Sequence, residues 1–238
     1  MAKERLDKLI ASTGRWSRRE VKTLVREGRV LVDGRIAGSA EEKYDAESCR
    51  IAVNGEELPL RRHTYVMLHK PAGVLSATKD GRGRTVLDLL TPELRKIGVF
   101  PVGRLDKDTE GLLLLTDDGE LAHALLSPKK HVDKVYYARV SGRLTPEDCA
   151  AFEAGMTLGD GLECLPAGLE ILTAGETSEC LVTLREGKFH QVKRMLAARG
   201  KPVEYLKRLS MGPLRLDDTL APGEFRLLTA AEEAQLQR

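Results

Sequence analysis

Gly103-Arg104-Leu105-Asp106-Lys107-Asp108-Thr109-Glu110-Gly111-Leu112-Leu113-Leu114-Leu115-Thr116 is a charged loop that runs without a break into an apolar strand. The segment before it, residues 99–102, is also apolar. Short continuous apolar runs bounded by turn residues read as buried strands. A loop between two such strands delivers its polar side chains at one edge of a sheet, where a rigid scaffold holds them accurately. Asp106, Asp108 and Glu110 are therefore all candidate functional carboxylates. Spacing alone does not choose among them, because each suits an ion pair with a neighbouring cation equally well.

Outward from this loop, strands and helices alternate without a regular βαβ rhythm. Strands are expected at 65–70, 135–140, 169–172, 180–184 and 203–209, and helices at 86–90, 119–126, 146–154, 190–198 and 230–236. The helix after Leu144 has a clear start: Thr145 as cap, Pro146 in the first turn, then Glu147 and Asp148 at the positive end. The pattern predicts an α+β domain with a mixed, largely antiparallel sheet flanked by helices.

The N-terminal part reads differently. Leu6, Leu9 and Ile10 have helical spacing, and Gly14 interrupts them. Ser17 with Glu20 forms a capping box for a second helix, whose apolar stripe is Val21, Leu24 and Val25. Strands then turn at Asp33-Gly34 and Asn54-Gly55. Pro59-Leu60-Arg61-Arg62 reads as a linker, giving a small domain over 1–61 and a larger one over 62–238.

Composition bounds the rest. With 42% hydrophobic and 31% charged residues the chain can build ordinary cores, and no run reaches the roughly 18–20 apolar residues of a membrane span. The charged N-terminus lacks the apolar segment of a secretion signal, so a cytoplasmic location and no membrane partner are expected. Cys49, Cys149, Cys164 and Cys180 contain no C-x-x-C pair and have no histidine at ligand spacing, so free thiols and no metal are expected. The net charge is only +2, but residues 1–35 hold ten Lys/Arg against five Asp/Glu. Such a cluster suits either a solvated helix face or a phosphate-binding one.

Four segments crowd polar residues against strand ends: Lys70-Pro71-Ala72-Gly73, the loop at 103–111, Lys134-Val135-Tyr136, and Glu186-Gly187-Lys188-Phe189-His190-Gln191-Val192-Lys193-Arg194-Met195. In sequence and order they resemble the motifs of the RsuA/RluB/RluE/RluF family of ribosomal RNA pseudouridine synthases. The last segment resembles the form typical of the RsuA branch, which modifies 16S rRNA; the 23S-directed branches usually carry Asn-Arg-Gln in place of Phe189-His190-Gln191. Residues 2 to about 48 are similar to the uS4-type (alpha-L) RNA-binding domain that precedes the catalytic domain in that family.

The resemblance implies that Asp106 is the essential carboxylate, that Tyr136 stacks on the flipped base and serves as general base, and that Lys193 pairs with Asp106. It implies that Arg104 helps open the RNA helix or holds the target nucleotide out of it, and that Lys70 belongs to the substrate-binding group. Arg15, Arg18, Arg19 and Lys22 would contact phosphates. Breaking the nitrogen–carbon glycosidic bond, turning the uracil and reattaching it through carbon 5 neither adds nor removes atoms, so no cofactor is implied. The implied partner is ribosomal RNA, 16S within a pre-ribosomal particle, with a monomeric enzyme. Bland readings stand beside these. Tyr136 competes with Tyr137 and with a plain core role. Lys193 and Arg194 would be solvated cations near a helix C-terminus. His69 and His190, lacking ligand partners, read as hydrogen-bonded structural histidines. Gly81-Arg82-Gly83-Arg84 reads as a flexible basic loop touching RNA backbone. Two rival classes are a non-catalytic RNA-binding assembly factor and a metal-dependent nuclease using Asp106, Asp108 and Glu110.

Overall fold

A computed structural model describes residues 3–46, 48–58, 60–127 and 130–236. The expected linker's Pro59 lies outside the described residues. The chain forms two compact units, Met1–Thr64 with Leu90–Val99, and Tyr65–Leu89 with Phe100–Arg238. Among the described residues no helix is long and apolar enough to cross a membrane.

In the first unit, α1 (Leu6–Ala11) and α2 (Arg18–Arg26) precede a four-stranded antiparallel sheet. Its strands are β1 (Val30–Val32), β2 (Arg35–Ile36), β3 (Ile51–Val53) and β4 (Glu56–Glu57), in the order β2–β1–β3–β4. The capping box forms as read: Ser17 Oγ accepts from Glu20 N, and Glu20 accepts from Ser17 N at 2.6 Å. Asp33 and Asn54 adopt positive φ at their turns, a conformation that Asp and Asn tolerate better than most residues. Leu6, Ile10, Val21, Val30 and Ile51 are wholly buried in one core.

The surprise is α3 (Pro92–Ile97), a helix that the sequence reading left out and that belongs to this unit although it follows residue 64. Its signals are present: Thr91 accepts from Leu94 N, Pro92 opens the helix, and Gly98 closes it in the left-handed region. Gly14 meets it so closely that a Cβ there would lie 2.3 Å from the carbonyl oxygen of Glu93.

The second unit is built on one mixed sheet. Its strands are β5 (Tyr65–Lys70), β6 (Glu110–Thr116), β7 (Lys134–Ser141), β8 (Gly168–Thr173), β9 (Thr177–Leu184), β10 (Val203–Met211) and β11 (Phe225–Leu227). They run in the order β8–β9–β7–β10–β6–β5–β11, and only the β10–β6 pair is parallel. This is the α+β, largely antiparallel architecture expected from the alternation. Strands β5 and β6 lie inside the sheet, and nearly every residue of both is buried, so both of their faces are covered, which explains their unbroken apolar sequence. Strand β7 alternates instead, with Lys134, Tyr136, Ala138 and Val140 buried.

Helices α4 (Gly119–Leu126), α5 (Pro146–Ala154), α6 (Gln191–Ala198) and α7 (Ala230–Leu236) complete the unit, with α5 against β8 and α6 against β10. Asp148 accepts from Thr145 N, so the expected start of α5 is a capping interaction as well as a dipole effect. Edge strand β11 carries no clear alternation and was missed, since its pairing with β5 is contact between residues far apart in sequence.

Candidate active site

The charged loop leaves the sheet between Pro101 and Glu110 and is fixed by its backbone. Lys70, wholly buried at the end of β5, donates from Nζ to the carbonyls of Pro71, Asp106, Lys107 and Thr109 at 2.8–3.2 Å. Ser76 Oγ donates to Leu105 O and accepts from Leu105 N. Gly73 N donates to Lys107 O at 2.7 Å. Burial pushes the Lys70 ammonium down to about 8, against the pull of Asp108, Asp106 and Glu110. The amine of Lys70, expected to contact RNA, is wholly buried and bonded to the loop. The loop re-enters the sheet at Gly111, where φ is +105° and a Cβ would lie 2.2 Å from Arg208 O, so only glycine fits.

The three candidate carboxylates diverge. Asp106 lines a cleft with Arg104, Leu105, Thr109, Tyr136, Leu184, His190, Gln191 and Leu206. Asp108 is exposed and bonded to Lys193 Nζ at 2.5 Å, which holds its carboxyl below the usual range. Glu110 accepts from Tyr205 Oη at 2.8 Å. Among the described residues no three His, Cys, Asp or Glu side chains are grouped to hold a metal.

Asp106 faces a lysine and a histidine. Lys193 Nζ lies 3.4 Å from Oδ2, and His190 Nε2 lies 3.5 Å from Oδ1. Helix α6 begins at Gln191, so Lys193 sits in its first turn and not near its C-terminus, where the bland reading put it. Cations are disfavoured at that positive end. The acidic partners Asp106 and Asp108 for Lys193, and Asp160 for Arg194, supply the compensation. Tyr136 is buried against the cleft, whereas Tyr137 turns to the other face of the sheet and meets Tyr205 edge-on at 6.1 Å. Arg104 is exposed at the rim.

Sequence reasoning treated both histidines alike, and the structure separates them. His69 is buried, with Nδ1 2.7 Å from Leu220 O, which fits a structural role. His190 is half-exposed over Asp106 and needs a different account. It stands at the N-cap of α6 in a left-handed conformation and makes no capping hydrogen bond with its side chain. A serine or aspartate would normally fill that position, so a local rule is broken beside the cleft. The loop at 81–84 is also tied down: Asp80 accepts from Arg82 N and Gly83 N.

Three of the four basic residues expected to contact phosphates are paired. Arg15 makes two bonds to Glu56 at 2.7–2.8 Å and lies over Trp16. Arg18 joins Arg5 on the buried Asp7 carboxylate, and Lys22 reaches Glu41. Burial raises the Asp7 carboxyl, but its bonds from Arg5 and Arg18 outweigh that and hold it below the usual range. Arg19 alone of the four is exposed with no ion pair among the described residues.

A mixed sheet with one carboxylate clamped at its edge, faced by a buried tyrosine and a lysine, is the scaffold of an enzyme active site. The chain belongs to the RNA pseudouridylate synthase family, whose model matches residues 64–198, and residues 4–48 match the S4 domain. It is 50% identical over 229 residues to an uncharacterized RNA pseudouridine synthase of Bacillus subtilis (strain 168), covering 96% of each chain. It is 40% identical to ribosomal small subunit pseudouridine synthase A of Vibrio cholerae, covering 98% of this chain and 99% of that one. Ribosomal large subunit pseudouridine synthase B of Bacillus subtilis is 39% identical, with 98% and 96% covered. The crystal structure of a pseudouridylate synthase, 35% identical, superposes with a TM-score of 0.68 over 98% of this chain and 99% of that one.

Proposed function

We propose that the chain isomerises one uridine of 16S rRNA, within a pre-ribosomal particle and as a monomer, with Asp106 as the carboxylate on which glycosidic cleavage depends. The observation that carries this is the Asp106 loop: backbone bonds from Lys70, Ser76 and Gly73 fix its position, and its carboxylate opens into the cleft opposite Tyr136. A group held this way is aligned before substrate arrives. Tyr136 offers a flat face to a flipped uracil and a hydroxyl for proton transfer. Lys193 supplies a fixed countercharge, and Arg104 at the rim holds the nucleotide out of its stack.

The small-subunit reading rests on Lys188-Phe189-His190-Gln191 and on the Vibrio cholerae relative's name. The large-subunit relative is almost as similar, so 23S rRNA is the second reading. Pseudouridine mapping of rRNA from cells lacking the protein, complemented with wild type or Asp106→Asn, tests both. Loss of one 16S pseudouridine restored only by wild type is the expected result. A lost 23S site would move the substrate to the other subunit, and restoration by Asp106→Asn would overturn the role of Asp106.

A further inference from the structure

Phe189 is the most exposed of the large exposed hydrophobic side chains, at 73%, and its chain neighbours Lys188 and His190 both line the cleft. Its ring lies almost parallel to the His190 imidazole, centroids 3.9 Å apart and planes 16° from each other. His190 in turn touches Asp106. Its left-handed φ of +51° is costly for a residue other than glycine, on the order of 1–3 kcal/mol, and such strain is kept where the surroundings enforce it. They do so here. Glu186 accepts from Leu165 N, Lys188 Nζ and Gln191 Nε2, and Gln191 accepts from Lys188 N. The turn is braced from beneath, while one face of the Phe189 ring is covered by the imidazole.

We propose that the Phe189–His190 stack is a platform for a second RNA base, the unpaired neighbour of the target nucleotide. The claim rests on the reading that this cleft takes an RNA nucleotide. A rigid exposed aromatic ring beside a basic rim is the usual means of holding an unstacked base, because any base presents a π-face to it. The exposed Arg104 and Lys107 flank the Asp106 loop and suit the adjoining phosphates. The platform would keep the strand open at the nucleotide next to the one being turned, so that flipping one base does not leave its neighbour unstacked in water.

The test uses the whole protein and an rRNA fragment containing the mapped target, together with fragments carrying an abasic residue at each flanking position. Phe189→Ala is expected to lower kcat/KM by about 10- to 100-fold, mainly through KM, with an unchanged melting temperature because the ring is exposed. Phe189→Trp is expected to keep activity within about threefold and to show fluorescence quenching on RNA binding in excess of the Trp16 change that the wild type shows. At one flanking position the abasic substitution should cost the wild type activity and cost Phe189→Ala nothing further. Wild-type activity in Phe189→Ala would overturn the platform. So would equal loss in Phe189→Ala and Phe189→Trp, or additivity with every abasic position. A wild type that leaves uridine unchanged would sink the enzymatic reading, and the fluorescence quench of Phe189→Trp would still report on the platform.

Discussion

Asp106 is positioned by atoms that are not its own side chain, and the loss of either kind of atom has a distinct signature. Asp106→Asn keeps the shape and removes the charge, so isomerisation should fall by at least about 10³-fold with RNA affinity changed little; pseudouridine formation and filter binding measure the two. Lys70→Met keeps the volume and leaves four carbonyls short of donors. It should cost about 2 kcal/mol or more of stability and lower kcat with KM little changed, read by urea unfolding and steady-state rates. Lys70 also gives a pH signature. Its folded pKa of about 8 lies below the ordinary 10.5, so above pH 8 the amine loses a proton and has fewer N–H groups for the same carbonyls. The rate should fall as pH rises through 8, while the contribution of Lys70 to stability rises between about 8 and 10.5, where the unfolded chain binds more protons. A rate that stays flat from pH 7 to 9.5 would remove Lys70 from control of the loop.

At the scale of elements, the joins between them matter most. Gly111→Ala forces a Cβ into the Arg208 backbone where β6 meets β10 and should destabilise the protein by about 3–5 kcal/mol in denaturant melts. Arg226 on β11 ties Asp217 to Glu232 at the start of α7, with contacts of 2.6 and 2.8 Å. Hydrogen bonds from Thr219 and Arg226 hold Asp217 down to about 2, and the bonds from Arg226 hold Glu232 down to about 2. Both carboxyls are depressed on folding, so their stabilisation is present above pH 4–5 and is lost as pH falls towards 2. Arg226→Leu should therefore flatten the dependence of melting temperature on pH between 5 and 2.5; an unchanged slope would show that the network contributes nothing.

For the whole molecule, the question is what the basic unit adds. We propose that it supplies affinity more than catalysis, and the pairing seen there sharpens the test. Arg19 is free to meet a phosphate, whereas Arg15, Arg18 and Lys22 must first leave carboxylates. Arg19→Ala should weaken RNA binding and reduce its logarithmic salt slope by about one, measured from 50 to 300 mM salt, while Arg18→Ala should act partly through stability by stripping a partner from buried Asp7. A truncation at residue 62 is a poor substitute, because residues 90–99 belong to the first unit and would lose what they pack against.

Local interactions left legible marks: the Ser17–Glu20 capping box, the Asp33-Gly34 and Asn54-Gly55 turns, the span of α5, and the unbroken apolar strands. Each of these rests on residues a few positions apart, so the sequence by itself determined them, and with them the α+β class and the motif that carries Asp106. Only the tertiary structure decided which carboxylate opens into the cleft, that the Lys70 amine is buried beneath the loop, that His190 at the N-cap of α6 faces Asp106 without capping, and that α3 joins the first unit. Those outcomes turn on where an ammonium or an imidazole finds its partner dozens of residues away. That choice is made by packing and desolvation, which no pattern of neighbouring residues records.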